Sequence, residues 1–102
     1  MIRVIEGKRY NTETAEEVAE HESNANKGDF RWYTEKLFKT PKGNFFLCGE
    51  GHASSKYAEP CGDMQGPGDG VIPLSRREAL EWCERYAQEE IDIHFESEVT
   101  DA

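Results

Sequence analysis

Cys48, His52 and Cys61 are the residues of this chain whose types and spacing first suggest chemistry. They form a Cys-x3-His-x8-Cys pattern within Gly49–Gly70, a stretch holding six glycines and two prolines. Thiolate and imidazole are the usual zinc ligands, and a loop poor in other structure would gain stability from a metal. A structural site wants four ligands, however, and neither Cys83 nor His94 follows at a zinc-site spacing. The competing reading is a half-buried strand cysteine followed by two loop residues. Cysteine catalysis would pair Cys48, Cys61 or Cys83 with His21, His52 or His94, but no local signature supports any pairing. Gly66-Pro67-Gly68-Asp69-Gly70 lacks the lysine and the helix start that phosphate cradling uses. The sequence therefore points away from an enzyme, and no cofactor is expected.

Charge carries more information. The chain of 102 residues has a formal charge of -9, and nine carboxylates against Arg85 alone place -8 of it between Glu78 and Ala102. Lys27–Lys42 has the opposite sign, with five basic residues against Asp29 and Glu35. Charge separated in this way governs encounter and partner choice rather than fold. The acidic balance disfavours direct contact with nucleic acid, which needs a basic footprint to displace phosphate counterions. It suits a protein that competes with nucleic acid for a basic groove. On this reading Glu78, Glu81, Glu84, Glu89, Glu90 and Asp92 are the partner-binding carboxylates. Trp32 and Tyr33, beside Arg31, supply an aromatic anchor, with core packing claiming at least one of the two rings. The competing reading of the helix carboxylates is a solvated outer face.

The elements that must position these residues follow from pattern. At this length the chain is one domain, with residues 1–95 folded and 96–102 an acidic, frayed tail. Hydrophobic content of 36% is low, as is a mean hydropathy of -0.83. Eleven aromatics compensate, each able to bury roughly 150–250 Å². The longest apolar run, Phe45-Phe46-Leu47-Cys48, is far short of the about 20 residues a spanning helix needs. Met1–Tyr10 shows no apolar signal segment. With three widely spaced cysteines read as reduced thiols, a cytoplasmic protein with no membrane contact is expected. Ile2–Ile5 and Lys8–Tyr10 read as extended around a turn at Gly7. Asn11 or Thr12 caps a predicted helix over Glu13–Glu22, with Ala15, Val18 and Ala19 as its apolar stripe. Phe30–Thr40 and Asn44–Cys48 form a β-hairpin through Pro41-Lys42-Gly43. Gly49–Gly70 is long for a loop. Val71–Leu74 is a short strand that Pro73 places at a sheet edge or a strand end. Ser75-Arg76-Arg77-Glu78 is a capping box opening a helix to about Gln88, whose stripe is Ala79, Leu80, Trp82, Cys83, Tyr86 and Ala87. A Glu81–Arg85 pair is expected on its outer face. A short helical piece should follow Glu89, with Ile91 and Phe95 packing back.

The fold class expected is α+β: a small antiparallel sheet around the central hairpin, with an N-terminal helix and a capped C-terminal helix against it. Gly7-Lys8-Arg9-Tyr10-Asn11-Thr12-Glu13-Thr14-Ala15, Phe45-Phe46-Leu47 with Gly49-Glu50-Gly51, Ser55-Lys56-Tyr57, and Ile72-Pro73-Leu74-Ser75 with Glu78-Ala79 and Trp82 carry a resemblance. Over most of its length to about Tyr86, the chain resembles a loose group of small uncharacterised bacterial proteins associated with phages and other mobile elements. His52 stands where that group tends to have a second glycine after Gly51. The resemblance implies a shared fold and a mobile-element setting and, by analogy of type, an anti-CRISPR or anti-restriction inhibitor. The expectation is then a non-enzymatic inhibitor, monomer or homodimer, that offers carboxylates to the basic groove of a host defence complex. The alternatives are a metal-stabilised adaptor using Cys48, His52 and Cys61, or a subunit-binding accessory protein.

Overall fold

Two runs rich in aromatic side chains fold back on each other at the centre of the computed structural model, which describes residues 1–102. In chain order the strands are β1 (Ile2–Ile5), β2 (Lys8–Asn11), β3 (Glu16–Glu22), β4 (Tyr33–Lys39), β5 (Phe45–Gly51), β6 (Glu59–Cys61), β7 (Met64–Gly66) and β8 (Gly68–Leu74). The helices are α1 (Arg76–Tyr86) and α2 (Ile91–His94). The β4–β5 hairpin closes as its residues dictate: the Gly43 N–H donates to the Thr40 carbonyl at 2.8 Å, and Gly43 sits at φ +87°. Only glycine enters that region without strain, and Pro41 presets the turn. β3 and β8 join the two sides of the hairpin, giving an antiparallel sheet in the order β3-β4-β5-β8. β1–β2 and β6–β7 are separate two-stranded hairpins. The α+β class is as expected.

The N-terminal helix is not. Residues expected to be helical over Glu13–Glu22 instead form a turn and β3. The physical reason is a β-bulge: the β3–β4 register slips between Glu17 and Ala19, inserting Val18. A bulge turns two successive residues toward one face, and Val18 and Ala19 both pack into the core beneath α1. With Ala15 they reproduce the spacing of a helical stripe although the chain is extended. The Asn11 side chain does cap backbone, but in a turn, accepting from the Glu13 N–H at 2.9 Å.

One face of the sheet lies beneath α1 and the segment after it. Leu37, Phe45, Leu47, Ala79, Cys83 and Phe95 are nearly or fully buried there, and Phe45 stacks on Phe95 at 5.1 Å between centroids. Truncating either ring costs about 3–5 kcal/mol. The capping box is present, and Ile91 and Phe95 pack back as the pattern requires. Part of the other face is covered by the β1–β2 hairpin, where Tyr10 meets Phe46 edge-to-face and Phe38 stacks on Phe46. The long glycine-rich stretch is ordered into the end of β5, a turn, the β6–β7 hairpin and the start of β8. Two of its glycines have a packing role. A Cβ on Gly49 would lie 2.4 Å from Cζ of Tyr57, and one on Gly51 would lie 2.3 Å from Oγ of Ser55. Their bare backbone lets the Ser55–Tyr57 turn close over the end of the α1-side face. The tail is tied down by one residue, since the Arg76 guanidinium pairs with Glu98 after a 3-10 turn at Glu96–Glu98.

Candidate functional site

The carboxylates singled out on α1 do not form an anionic surface. Glu78 is consumed by the cap, its Oε1 accepting from the Ser75 N–H at 2.8 Å, and this bond holds its carboxyl below the usual range. Glu81 pairs with Arg77 at 3.2 Å rather than with Arg85. The outer face of α1 groups Arg77 and Arg85 with Glu81 and Glu84, so cations and anions balance. Glu89 and Asp92 are exposed beyond the helix. Glu90 sits 3.7 Å from Nε2 of His94, which lies 3.9 Å from Glu16 on β3.

Trp32 is 6% exposed. Its indole N–H donates to Glu22 at 2.9 Å, and its ring packs against His52. It belongs to the packed interior, so it is the ring of the pair that core packing claims. Tyr33 is half-buried, its hydroxyl 3.4 Å from Nε2 of His21. Burial and the neighbouring Tyr86 push its phenol up to about 12.

Cys48, His52 and Cys61 are likewise not brought together into a ligand set. Cys48 lies mid-strand in β5, His52 donates to the Lys27 carbonyl at 2.7 Å, and Cys61 is exposed at the end of β6. No group of three or more His, Cys, Asp or Glu side chains is placed to hold a metal ion.

Two sites emerge that pattern alone did not reveal. The first is Glu35, which projects toward α1 and is 1% exposed. Its Oε1 accepts from Nζ of Lys56 at 3.0 Å and from the Trp82 indole at 2.9 Å, and its Oε2 accepts from the Tyr57 hydroxyl at 2.5 Å. A buried carboxylate is tolerated when paired and fully hydrogen-bonded. Every acceptor is thus engaged, and the group fastens the Ser55–Tyr57 turn and α1 to the sheet. Burial and the bond to Glu35 raise the Tyr57 phenol well above its ordinary value.

The second lies on the opposite face, beside the β1–β2 hairpin. Cross-strand register sets Glu22, Thr34, Glu50 and Asp69 in one row, and Glu20, Lys36, Cys48 and Val71 in the next. Neighbouring strands are about 4.8 Å apart. Glu17 begins the third row, so five carboxylates share this face. Lys36 answers Glu17 and Glu20 at 3.4 and 3.7 Å, and Arg3 reaches Asp69 only at 4.0 Å. Glu50 and Asp69 are directly opposed, an arrangement that destabilises a sheet because like charges face each other. Two concavities meet there, a groove of about 500 Å³ that includes Lys27, Trp32, His52 and Glu59 and a smaller one of about 220 Å³ that includes Met1 and Lys36; both are lined by Glu50 and Asp69. The signal in the sequence was Glu20 and Glu22 at strand spacing, concealed by the bulge that made β3 look helical.

No family model, curated protein or solved structure matches this chain. No helix is long and apolar enough to cross a membrane.

Proposed function

We propose that this protein is a non-enzymatic, acidic inhibitor that binds a basic, nucleic-acid-binding surface of a host defence complex, as an anti-CRISPR or anti-restriction protein does. The observation that carries the reading is the direct opposition of Glu50 and Asp69 within a face holding five carboxylates, where Lys36 answers Glu17 and Glu20, Arg3 reaches Asp69 only at 4.0 Å, and Lys27 lines the groove without forming an ion pair. Such a face is strained in isolation, and a partner's lysines and arginines relieve that repulsion on docking. The binding surface accordingly moves from the outer face of α1 to Glu17, Glu20, Glu22, Glu50 and Asp69, with Glu16 and Glu90 adjoining across β3. The host-defence setting rests on the resemblance to mobile-element proteins.

The test is displacement of labelled duplex from a panel of CRISPR effector and restriction complexes. The wild type is expected to displace duplex from at least one of them, and less well as salt rises. A variant carrying Glu20→Lys, Glu50→Lys and Asp69→Lys is expected to lose about two to three orders of magnitude in affinity, since like-charge juxtaposition costs several kcal/mol. Reversal of Glu81 and Glu84 should leave displacement within a few-fold. Equal displacement by the triple variant and the wild type, or none by the wild type across the panel, sinks the proposal.

A further inference from the structure

β3 is an edge strand, and β4 is the only element that runs alongside it. None of residues 16–22 makes a backbone hydrogen bond outside the β3–β4 ladder. The Ser23 N–H donates to the Tyr33 carbonyl at 2.9 Å, which fixes the alternation: Ala19, His21 and Ser23 direct their peptide groups at β4, leaving those of Glu20 and Glu22 facing outward. An open row of this kind is a template for another strand. The other edge, β8, is less available. By the same alternation its outward nitrogens belong to Asp69, Val71 and Pro73, and proline has no N–H to give.

Charge decides what could pair with β3. Glu17, Glu20 and Glu22 line the edge on the open face, while Glu16 and Glu90 meet across His94 on the α1 side. A second copy of β3 would set carboxylate against carboxylate, so self-pairing is opposed. The geometry points to β-strand addition by an extended basic segment of a partner, with lysine or arginine at alternate positions facing Glu20 and Glu22. This deepens the proposed function and rests on it, because it specifies how the acidic surface grips its target.

The probe is a ten-residue peptide alternating lysine and threonine, compared by fluorescence anisotropy with a twin N-methylated at alternate residues. The twin keeps every charge but loses one hydrogen-bonding edge. The unmodified peptide is expected to bind at least tenfold more tightly and to shift the amide resonances of Glu20 and Glu22. In the protein, Glu20→Pro removes the outward N–H together with the charge, whereas Glu20→Thr removes the charge alone. Binding should be lost in the first and fall only a few-fold in the second. Equal binding of the two peptides overturns strand addition while leaving the charge-based reading intact. Binding of neither peptide overturns both. The peptide comparison needs only wild-type protein, so misfolding of Glu20→Pro would not mask the result.

Discussion

The two faces of the four-stranded sheet treat carboxylates in opposite ways. Toward α1 there is one fully buried carboxylate, Glu35, and Lys56, Tyr57 and Trp82 all donate to it. On the open face Glu20, Glu22, Glu50 and Asp69 share two adjacent rows, and Glu50 has no hydrogen-bond or ion-pair partner. The first arrangement is what a folded chain does to hold itself together. The second departs from the pairing that would maximise stability. Such departures concentrate where a surface serves something other than the fold. The comparison also explains why a raw count of acidic residues misleads. α1 lies in the most acidic stretch of the chain, yet its outer face is balanced by Arg77 and Arg85.

The contrast can be tested most severely at Glu35. Glu35→Ala leaves a buried indole N–H and a buried hydroxyl without their acceptor, and is expected to cost about 3–5 kcal/mol, as breaking buried charged pairs does. Tyr57→Phe removes one charge-assisted bond, an expected loss of about 1.5–3 kcal/mol. Urea unfolding followed by Trp fluorescence measures both. A cost under about 0.5 kcal/mol for Glu35→Ala would erase the distinction between the faces.

A second test uses alkaline pH. Burial pushes the Cys83 thiol up to about 11 and, together with Tyr86, the Tyr33 phenol to about 12; it also raises Tyr57. Each group keeps its proton longer in the folded chain than in the unfolded one. Its contribution is therefore complete below the unfolded value and is lost as pH rises toward the folded value. The urea midpoint is expected to fall progressively from about pH 9, the ordinary thiol value, to about 12. A flat midpoint over that window would show that the fold does not shield Cys83, Tyr33 and Tyr57 from water.

The smallest effect has the opposite sign. Glu50→Gln relieves the repulsion against Asp69 and is expected to raise stability by about 0.2–1 kcal/mol. Glu81→Gln, which breaks the pair with Arg77, is expected to lower it by about 0.3–0.5 kcal/mol. Matched denaturation curves for the two variants would read this inversion directly, and a shared sign would remove the open face's claim to be strained.

Local features were legible in the residues. The Thr40–Asn44 turn, the Ser75–Glu78 capping box and the stripe of α1 each depend on neighbours within a few positions. β3 was misread because one inserted residue, Val18, replaced strand alternation with an apparent helical spacing. The candidate site lay deeper still. Glu22, Thr34, Glu50 and Asp69 span nearly half the chain and become neighbours only once three strand registers are fixed. Glu35 was hidden in a different way, since its anchors come from the glycine-rich stretch and from α1, neither of which signals a carboxylate partner.

The three thiols end up at three depths: Cys61 exposed, Cys48 half-buried on the open face and Cys83 sealed beneath α1. They form a built-in set of footprinting reporters. An alkylating reagent should modify Cys61 at once, should reach Cys83 only when the α1 side opens, and should report occupancy of the acidic surface through shielding of Cys48. One mass spectrum of a time course would then separate folding from docking without any added label.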